Sequence, residues 1–169
     1  MSTPPDRPID VLGLARSGSS LERQFEVAGF ERLRDRLAAP EGHVNARADF
    51  ATTGRWPVAK LVVEGVLVLR CQRCLGPMRR GVASEADLVF AEEGAKELPE
   101  GYEPVEGDPR RLELATLVED ELLLSLPIIP QHGEGERCEL PKDGGAAPGE
   151  GADTGLRRPF AGLKDLLEH

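Results

Sequence analysis

Aromatic residues, cysteines and long hydrophobic runs are all scarce in this chain of 169 residues. Aromatics make up 4% of it, so a core must be built mainly from Leu, Val and Ala. The longest apolar runs, such as residues 122–126, fall far short of the roughly 20 residues that cross a membrane. Residues 1–8 lack the apolar region of a secretory signal. We therefore expect a cytoplasmic protein.

The motifs of the common enzyme classes are missing as well. The chain has no glycine-rich phosphate loop, no nucleophile elbow and no His-Glu metalloprotease motif. Its three histidines are His43, His132 and His169, and residues 167–169 resemble the start of a purification tag. Few groups remain for acid–base chemistry, so we expect a protein that is not an enzyme.

The net charge of -9 limits contact with nucleic acids, because phosphate neutralisation dominates that kind of binding. Any contact with RNA must come from a local basic region. Residues 55–81 supply one, with six basic residues against Glu64 and a net charge of +5. Residues 85–121 carry thirteen acidic residues against three basic ones, a net charge of -10. This polarity could orient a partner, or it could mean only two solvated faces.

Length and hydrophobic periodicity indicate a single α+β domain over residues 1–140. We expect a mostly antiparallel sheet from about the first 90 residues, packed by two helices. The predicted strands cover residues 9–14, 21–27, 43–50, 57–70 and 82–90. The last two read as a hairpin, in which Gly65 could mark a bulge.

Apolar spacing predicts where the two helices lie. Phe30, Leu33 and Leu37 recur at helical spacing, which predicts a helix over residues 29–39. A second helix is predicted over residues 110–126.

The ends of the second helix carry their own signals. Asp108 and Pro109 are typical of a helix start, and Pro127 ends it. The acidic, Gly- and Pro-rich residues 91–109 before it should form a loop. Glu121 falls within the apolar stripe of this helix, so we expect a structural buried charge held by an ion pair or hydrogen bond.

The composition changes after Cys138. Residues 141–169 are rich in Gly, Pro and Ala, and we expect a disordered tail there. Near its end, Arg157-Arg158-Pro159-Phe160 is followed by Leu163, Leu166 and Leu167, which could form a short docking motif or terminal helix.

The three cysteines favour metal binding or free thiols, because they cannot all pair and a reducing cytoplasm disfavours disulfides. Cys71 and Cys74 lie at the predicted hairpin tip with the Cys-x-x-Cys spacing of zinc ligands. His132 and Cys138 could complete a zinc site, although the gap between them is loose. We therefore expect the hairpin tip to approach residues 132–138.

A redox site at Cys71 and Cys74 is the alternative, since such a pair can cycle between thiols and disulfide. Thioredoxin-like pairs open a helix in a βαβ unit, whereas Gly76-Pro77 follows this pair.

Arginines near the hairpin tip form the candidate contact for RNA or a partner, because a guanidinium binds phosphate through two hydrogen bonds. They are Arg70, Arg73, Arg79 and Arg80. Only Trp56 and Phe90 lie near enough in sequence to stack on bases, so base-specific contact is not expected. An adaptor that binds basic proteins through the acidic residues 92–108 fits the net charge better than direct RNA binding.

Three motifs in this order resemble the YceD family, the large ribosomal RNA subunit accumulation proteins. They are Cys71-Gln72-Arg73-Cys74, then Leu98-Pro99-Glu100-Gly101-Tyr102-Glu103-Pro104, then Val118-Glu119-Asp120-Glu121-Leu122-Leu123-Leu124-Ser125-Leu126-Pro127-Ile128-Ile129-Pro130. The resemblance implies a role in synthesis, processing or stability of 23S ribosomal RNA and brings no catalytic residue. Related sequences often carry more cysteines in the segment that corresponds to residues 132–138.

Overall fold

Within the residues that the structure describes, six strands and two helices make up the fold. The computed structural model describes residues 7–91, 94–95, 97–133 and 135–139. The strands are β1 (Ser20–Glu26), β2 (Leu37–Ala39), β3 (His43–Thr53), β4 (Trp56–Arg70), β5 (Pro77–Phe90) and β6 (Glu103–Val105), and the helices are α1 (Val11–Ser17) and α2 (Leu114–Ser125). No helix in these ranges is long and apolar enough to span a membrane. The predicted disorder of residues 141–169 lies outside the described residues.

The strands form one mixed sheet in the order β1-β3-β4-β5-β6. The long central pairs β3–β4 and β4–β5 are antiparallel, as expected. β6 pairs parallel to β5 through Leu88–Glu103 to Phe90–Val105, so the sheet is mixed, and the predicted loop 91–109 contains this short strand. β2 pairs with β4 at Leu69, beyond the end of β3.

One face of the sheet carries the core. Alternate residues of β3 and β4, such as Val44, Phe50, Leu61 and Leu67, are buried there, as period-two patterning predicts. The two helices contact the sheet, α1 through β3 and β4 and α2 mainly through β5. The pairing stays in register at Gly65, so no bulge forms, and a Cβ there would come within 3.0 Å of the His43 carbonyl oxygen.

The predicted first strand, residues 9–14, is wrong, because most of it forms α1. Asp10 caps the helix by accepting a hydrogen bond from Gly13 N at 3.2 Å. Gly18 ends it in the left-handed conformation, with φ at 60°. Only Ile9 keeps strand character, in an isolated bridge with Leu112.

The predicted helix over residues 29–39 is also wrong. Two short 3₁₀ turns, Val27–Gly29 and Arg34–Arg36, lead into β2. Between them, the backbone N–H groups of Arg32 and Leu33 donate to Glu119 Oε1 at 2.7 and 3.0 Å. These N–H groups therefore bond to a carboxylate on α2 instead of to carbonyls of a local helix.

The second predicted helix is confirmed in a shorter form, as α2 (Leu114–Ser125). It starts four residues later than expected, because Asp108 accepts from Arg110 N in a turn that precedes the helix.

Glu119→Ala should lower the free energy of unfolding by about 3 kcal/mol, because it leaves the buried N–H of Leu33, the partly buried N–H of Arg32 and the Arg32 guanidinium without this acceptor. Asp120→Ala is the matched control, since it removes only the exposed Arg32–Asp120 pair and should cost less than about 1 kcal/mol. Urea denaturation measures both. Equal losses in the two variants would contradict this role of Glu119.

Candidate metal centre

The turn that joins β4 to β5 shapes the first half of the candidate centre. Cys71 N donates to Gly76 O at 2.9 Å and Leu75 N donates to Cys71 O at 2.9 Å, so residues 71–76 form a closed loop. Leu75 takes up a left-handed conformation, with φ at 61°. The backbone N–H of Arg73 donates to Cys71 Sγ at 3.4 Å.

The segment after α2 supplies the second half. Gln72 N donates to Pro130 O at 2.8 Å, which fixes this segment beside the turn. His132 Nε2 lies 3.2 Å from the carbonyl oxygen of Pro77, the first residue of β5. A proton on Nε2 can be donated to that carbonyl, and Nδ1 is then free to bind a metal, as in many protein sites where a backbone group orients the imidazole.

The four candidate ligands converge, as the sequence predicted. The ligand atoms of Cys71, Cys74, His132 and Cys138 all lie within 4.8 Å of one another. Cys71 Sγ is 3.8 Å from Cys138 Sγ, and Cys74 Sγ is 3.5 Å from His132 Nδ1. A tetrahedral zinc ion with ordinary bond lengths would require about 3.8 Å between two sulfurs and about 3.6 Å between sulfur and nitrogen. The residues present therefore fit a metal ion of this kind.

The pKa values of two thiols in this cluster, Cys71 and Cys138, are shifted in opposite directions. Burial raises the pKa of Cys71, but backbone N–H groups of Cys74, Arg73 and His132 outweigh it and lower that pKa to about 5. Burial, followed by the neighbouring Cys71 and Cys74, raises the pKa of Cys138 to about 11. Several thiolates this close together repel one another unless a cation lies among them, and metal binding supplies that cation.

The four candidate arginines lie at the same end of the sheet but not on one face. Arg70 pairs with Pro77 and Arg79 with Val68, so Arg70 and Arg79 are diagonal neighbours on one face. Arg80 lies on the opposite face of β5, because side chains alternate along a strand. Arg73 lies in the turn, and all four arginines are exposed.

A family model matches residues 59–167, and its description is "Large ribosomal RNA subunit accumulation protein YceD". The chain belongs to the YceD family. It is also 31% identical over 160 residues to the "Large ribosomal RNA subunit accumulation protein YceD" of Haemophilus influenzae, an alignment that covers 87% of this chain and 90% of that protein. No solved structure matches the chain.

Further groups at this end of the YceD chain were not singled out from the sequence. Leu75, Ile128 and Ile129 are large apolar residues with 61%, 94% and 62% of their surface exposed. Arg137 is exposed and directly precedes Cys138. The left-handed conformation of Leu75 turns an apolar side chain outward, which composition and periodicity do not indicate. Around the candidate centre, basic and apolar surface therefore lie together.

Glu121 is buried, as predicted, with 7% of its surface exposed. Within the described residues its partner is a hydroxyl and not a basic residue, since Ser84 Oγ donates to Glu121 Oε2 at 2.7 Å. This hydrogen bond joins α2 to β5, far from the cysteine cluster. Glu121 therefore lies outside the candidate metal centre.

Ser84→Ala should lower the free energy of unfolding by about 2 kcal/mol, because the buried Glu121 carboxylate loses its charge-assisted hydrogen bond. Glu121→Gln keeps an acceptor for the Ser84 hydroxyl, so it should lower the free energy of unfolding by less than Ser84→Ala does. Chemical denaturation of both variants tests this order, and the reverse order would contradict it.

Proposed function

We propose that this chain is a non-enzymatic factor of the bacterial cytoplasm that supports the synthesis, processing or stability of 23S ribosomal RNA. The observation that carries the proposal is the match of residues 59–167 to the model of the YceD family, whose description names accumulation of the large ribosomal RNA subunit. A relative named for accumulation of the large ribosomal RNA subunit supports the same role. The cysteines and histidine at the tip serve structure in this proposal, and no residue acts as a catalyst.

We further propose that the ion is zinc and that its role is structural. The Cys71–Cys138 sulfur–sulfur distance and the Cys74–His132 sulfur–nitrogen distance agree with the edges of a zinc tetrahedron. With the ion bound, the segment of His132 and Cys138 would be fixed to the Cys71–Cys74 turn. The redox alternative has less support, because the Cys-x-x-Cys pair lies in a hairpin turn and has two further ligands beside it.

Zinc content tests this assignment directly. Protein purified under reducing, chelator-free conditions should contain about one zinc per chain, and Cys138→Ser or His132→Ala should reduce that amount at least tenfold after dialysis. Elemental analysis by mass spectrometry gives the ratio. The control is His43→Ala, which removes an exposed imidazole of β3 and should leave the zinc content unchanged.

Removal of the metal should also destabilise the protein, because the segment of His132 and Cys138 is then no longer fixed to the Cys71–Cys74 turn. A chelator should lower the melting temperature of the native chain but leave that of Cys138→Ser almost unchanged. A native chain that contains no zinc and does not respond to the chelator would refute the structural zinc site.

Ribosomal RNA can be reached by two routes, direct contact and contact through partner proteins. The basic tip offers phosphate contacts through Arg70, Arg73 and Arg79, since residues 65–84 contain four arginines and no acidic residue. The rest of the chain is strongly acidic and would repel RNA. We therefore propose that contact with the ribosomal particle is made mainly through basic partner proteins, with the arginine tip as a local RNA contact.

The arginine face can be tested with variants of equal charge. Arg70→Ala with Arg79→Ala removes both diagonal neighbours from one face, whereas Arg16→Ala with Arg110→Ala removes the same charge from exposed positions outside residues 65–84. The first pair should weaken binding to 23S ribosomal RNA several-fold more than the second pair. It should also reduce the slope of the logarithm of the affinity against the logarithm of the salt concentration by up to about two. Filter binding at several salt concentrations measures this, and equal effects would argue against the face.

The cellular role has its own test. In a bacterial strain that lacks its YceD protein, the native chain should restore the ratio of 23S to 16S ribosomal RNA. A pulldown before and after nuclease treatment then separates the two routes. Protein partners retained after nuclease support the protein-mediated route, whereas loss of all partners would overturn it in favour of direct RNA contact. Failure to restore the RNA ratio would contradict the proposed function itself.

A further inference from the structure

A cleft lies between α2 and the edge of the sheet, away from the candidate metal centre. It encloses about 380 Å³ and is lined by β6, by the turn that follows it and by one side of α2. Leu88 and Leu117 line it as apolar residues, and Leu124 at its margin has 74% of its surface exposed. An apolar lining of this kind favours an occupant with apolar side chains.

Carboxylates surround this apolar lining. The acidic residues of the cleft are Glu103, Glu106, Asp108, Glu113, Asp120 and Glu121, and the one basic residue among the lining residues is Arg111. Arg32 pairs with Asp120, but no hydrogen bond or ion pair to Glu103 or Glu106 is found within the described part of the chain. The surroundings of the cleft are therefore strongly negative and favour a cationic occupant.

Glu121 adds a more specific requirement. Its Oε2 accepts from Ser84, while Oε1 has no hydrogen-bond partner among the described residues. No fully buried side-chain oxygen in that part of the chain lacks a partner, so Oε1 keeps some solvent-accessible surface, and Glu121 is one of the residues that line the cleft. A carboxylate that is otherwise buried among leucines gains most from a guanidinium or ammonium group placed there.

The chain itself contains a segment of matching chemistry. Arg157 and Arg158 precede Pro159 and Phe160, and Leu163 and Leu166 follow at helical spacing. Over residues 157–166 the charges are Arg157, Arg158 and Lys164 against Asp165, a net charge of +2. The family model extends to residue 167, so this segment belongs to the sequence that YceD proteins share.

We propose that residues 157–166 bind in this cleft of the same chain, with an arginine at Glu121 and the Phe160 ring against the leucines. The described chain ends at residue 139, and 17 residues separate it from Arg157. Such a connection spans at most about 60 Å, whereas a domain of this size has a radius of gyration of about 14 Å. A tethered segment also has an effective concentration near the millimolar range, which favours binding within the chain. The proposal does not depend on the role in ribosomal RNA accumulation.

The experiment uses the full chain with a fluorescent reporter in the segment. Trp56→Phe removes the native indole, and Phe160→Trp places one at the proposed contact. Binding should shift the emission to shorter wavelength and reduce acrylamide quenching by roughly threefold, since such pockets bury most of the bound group. Added salt should reverse part of the effect, because charge pairs contribute to it.

A charge exchange then identifies the partner surfaces. In the reporter chain, Arg157→Glu with Arg158→Glu should abolish the protection from quenching, and so should Glu103→Arg with Glu106→Arg. All four changes together should restore it only in part, because the charges at Glu103 and Glu106 are again complementary whereas Glu121 still faces a carboxylate in place of its arginine. Lys142→Glu in the connecting residues and Glu26→Arg with Glu41→Arg near the opposite edge of the sheet are controls and should have no effect, and the second of them changes the charge by the same amount as Glu103→Arg with Glu106→Arg.

Two results would overturn the proposal. An indole that is quenched equally in the reporter chain and in its Arg157→Glu, Arg158→Glu form would show that the segment does not bind the cleft. Protection that increases with protein concentration would show binding to a second copy or to another chain. Unfolding midpoints of the variants distinguish loss of binding from loss of the fold.

Discussion

The register of the β4–β5 pair determines where every group of the candidate metal centre lies. Thirteen cross-strand pairs run without a shift from Val58–Val89 to Arg70–Pro77. This pairing leaves six residues for the turn, places both of its cysteines beside the segment of His132, and presents the Pro77 carbonyl to the imidazole. A slip of one residue would exchange the faces of Arg79 and Arg80 and move the carbonyl away.

Local patterning was sufficient for the centre of the sheet and failed where distant groups intervene. The alternation in β3 and the Val- and Leu-rich run of β4 predicted these strands correctly, because each buries one face against the core. Residues 29–39 have helical spacing, but the carboxylate of Glu119, 87 residues further along, accepts the N–H of Arg32. No local window contains that acceptor.

Two other errors in the predicted fold concern the short elements α1 and β6. Asp10 and Gly18 are ordinary signals for the start and end of a helix, and the apolar residues between them fit a short helix as well as a strand. β6 has only three residues and includes Pro104, so its composition resembled a loop. Short elements are thus fixed by their partners more than by their own sequence.

Ligand chemistry predicted the approach of His132 and Cys138 to the hairpin, because metal-binding residue types at two positions favour a common site. The division of the arginines between two faces could not be predicted in the same way, since it depends on how side chains alternate between the two faces along β4 and β5. The acidic cleft was also missed, because β6 and α2 are brought together only by the fold. Eleven positions along β5, about 35 Å, separate Pro77 at the basic end from Leu88 in this cleft.

The order of the ligands along the chain has a consequence for synthesis. Cys74 is 58 residues ahead of His132, so during translation the hairpin leaves the ribosome well before its remaining ligands. At about 5–20 residues per second, several seconds pass between the synthesis of Cys74 and that of His132. The four groups are therefore present together only after synthesis has passed Cys138, so an ion held by all of them would bind later than the β4–β5 hairpin is made.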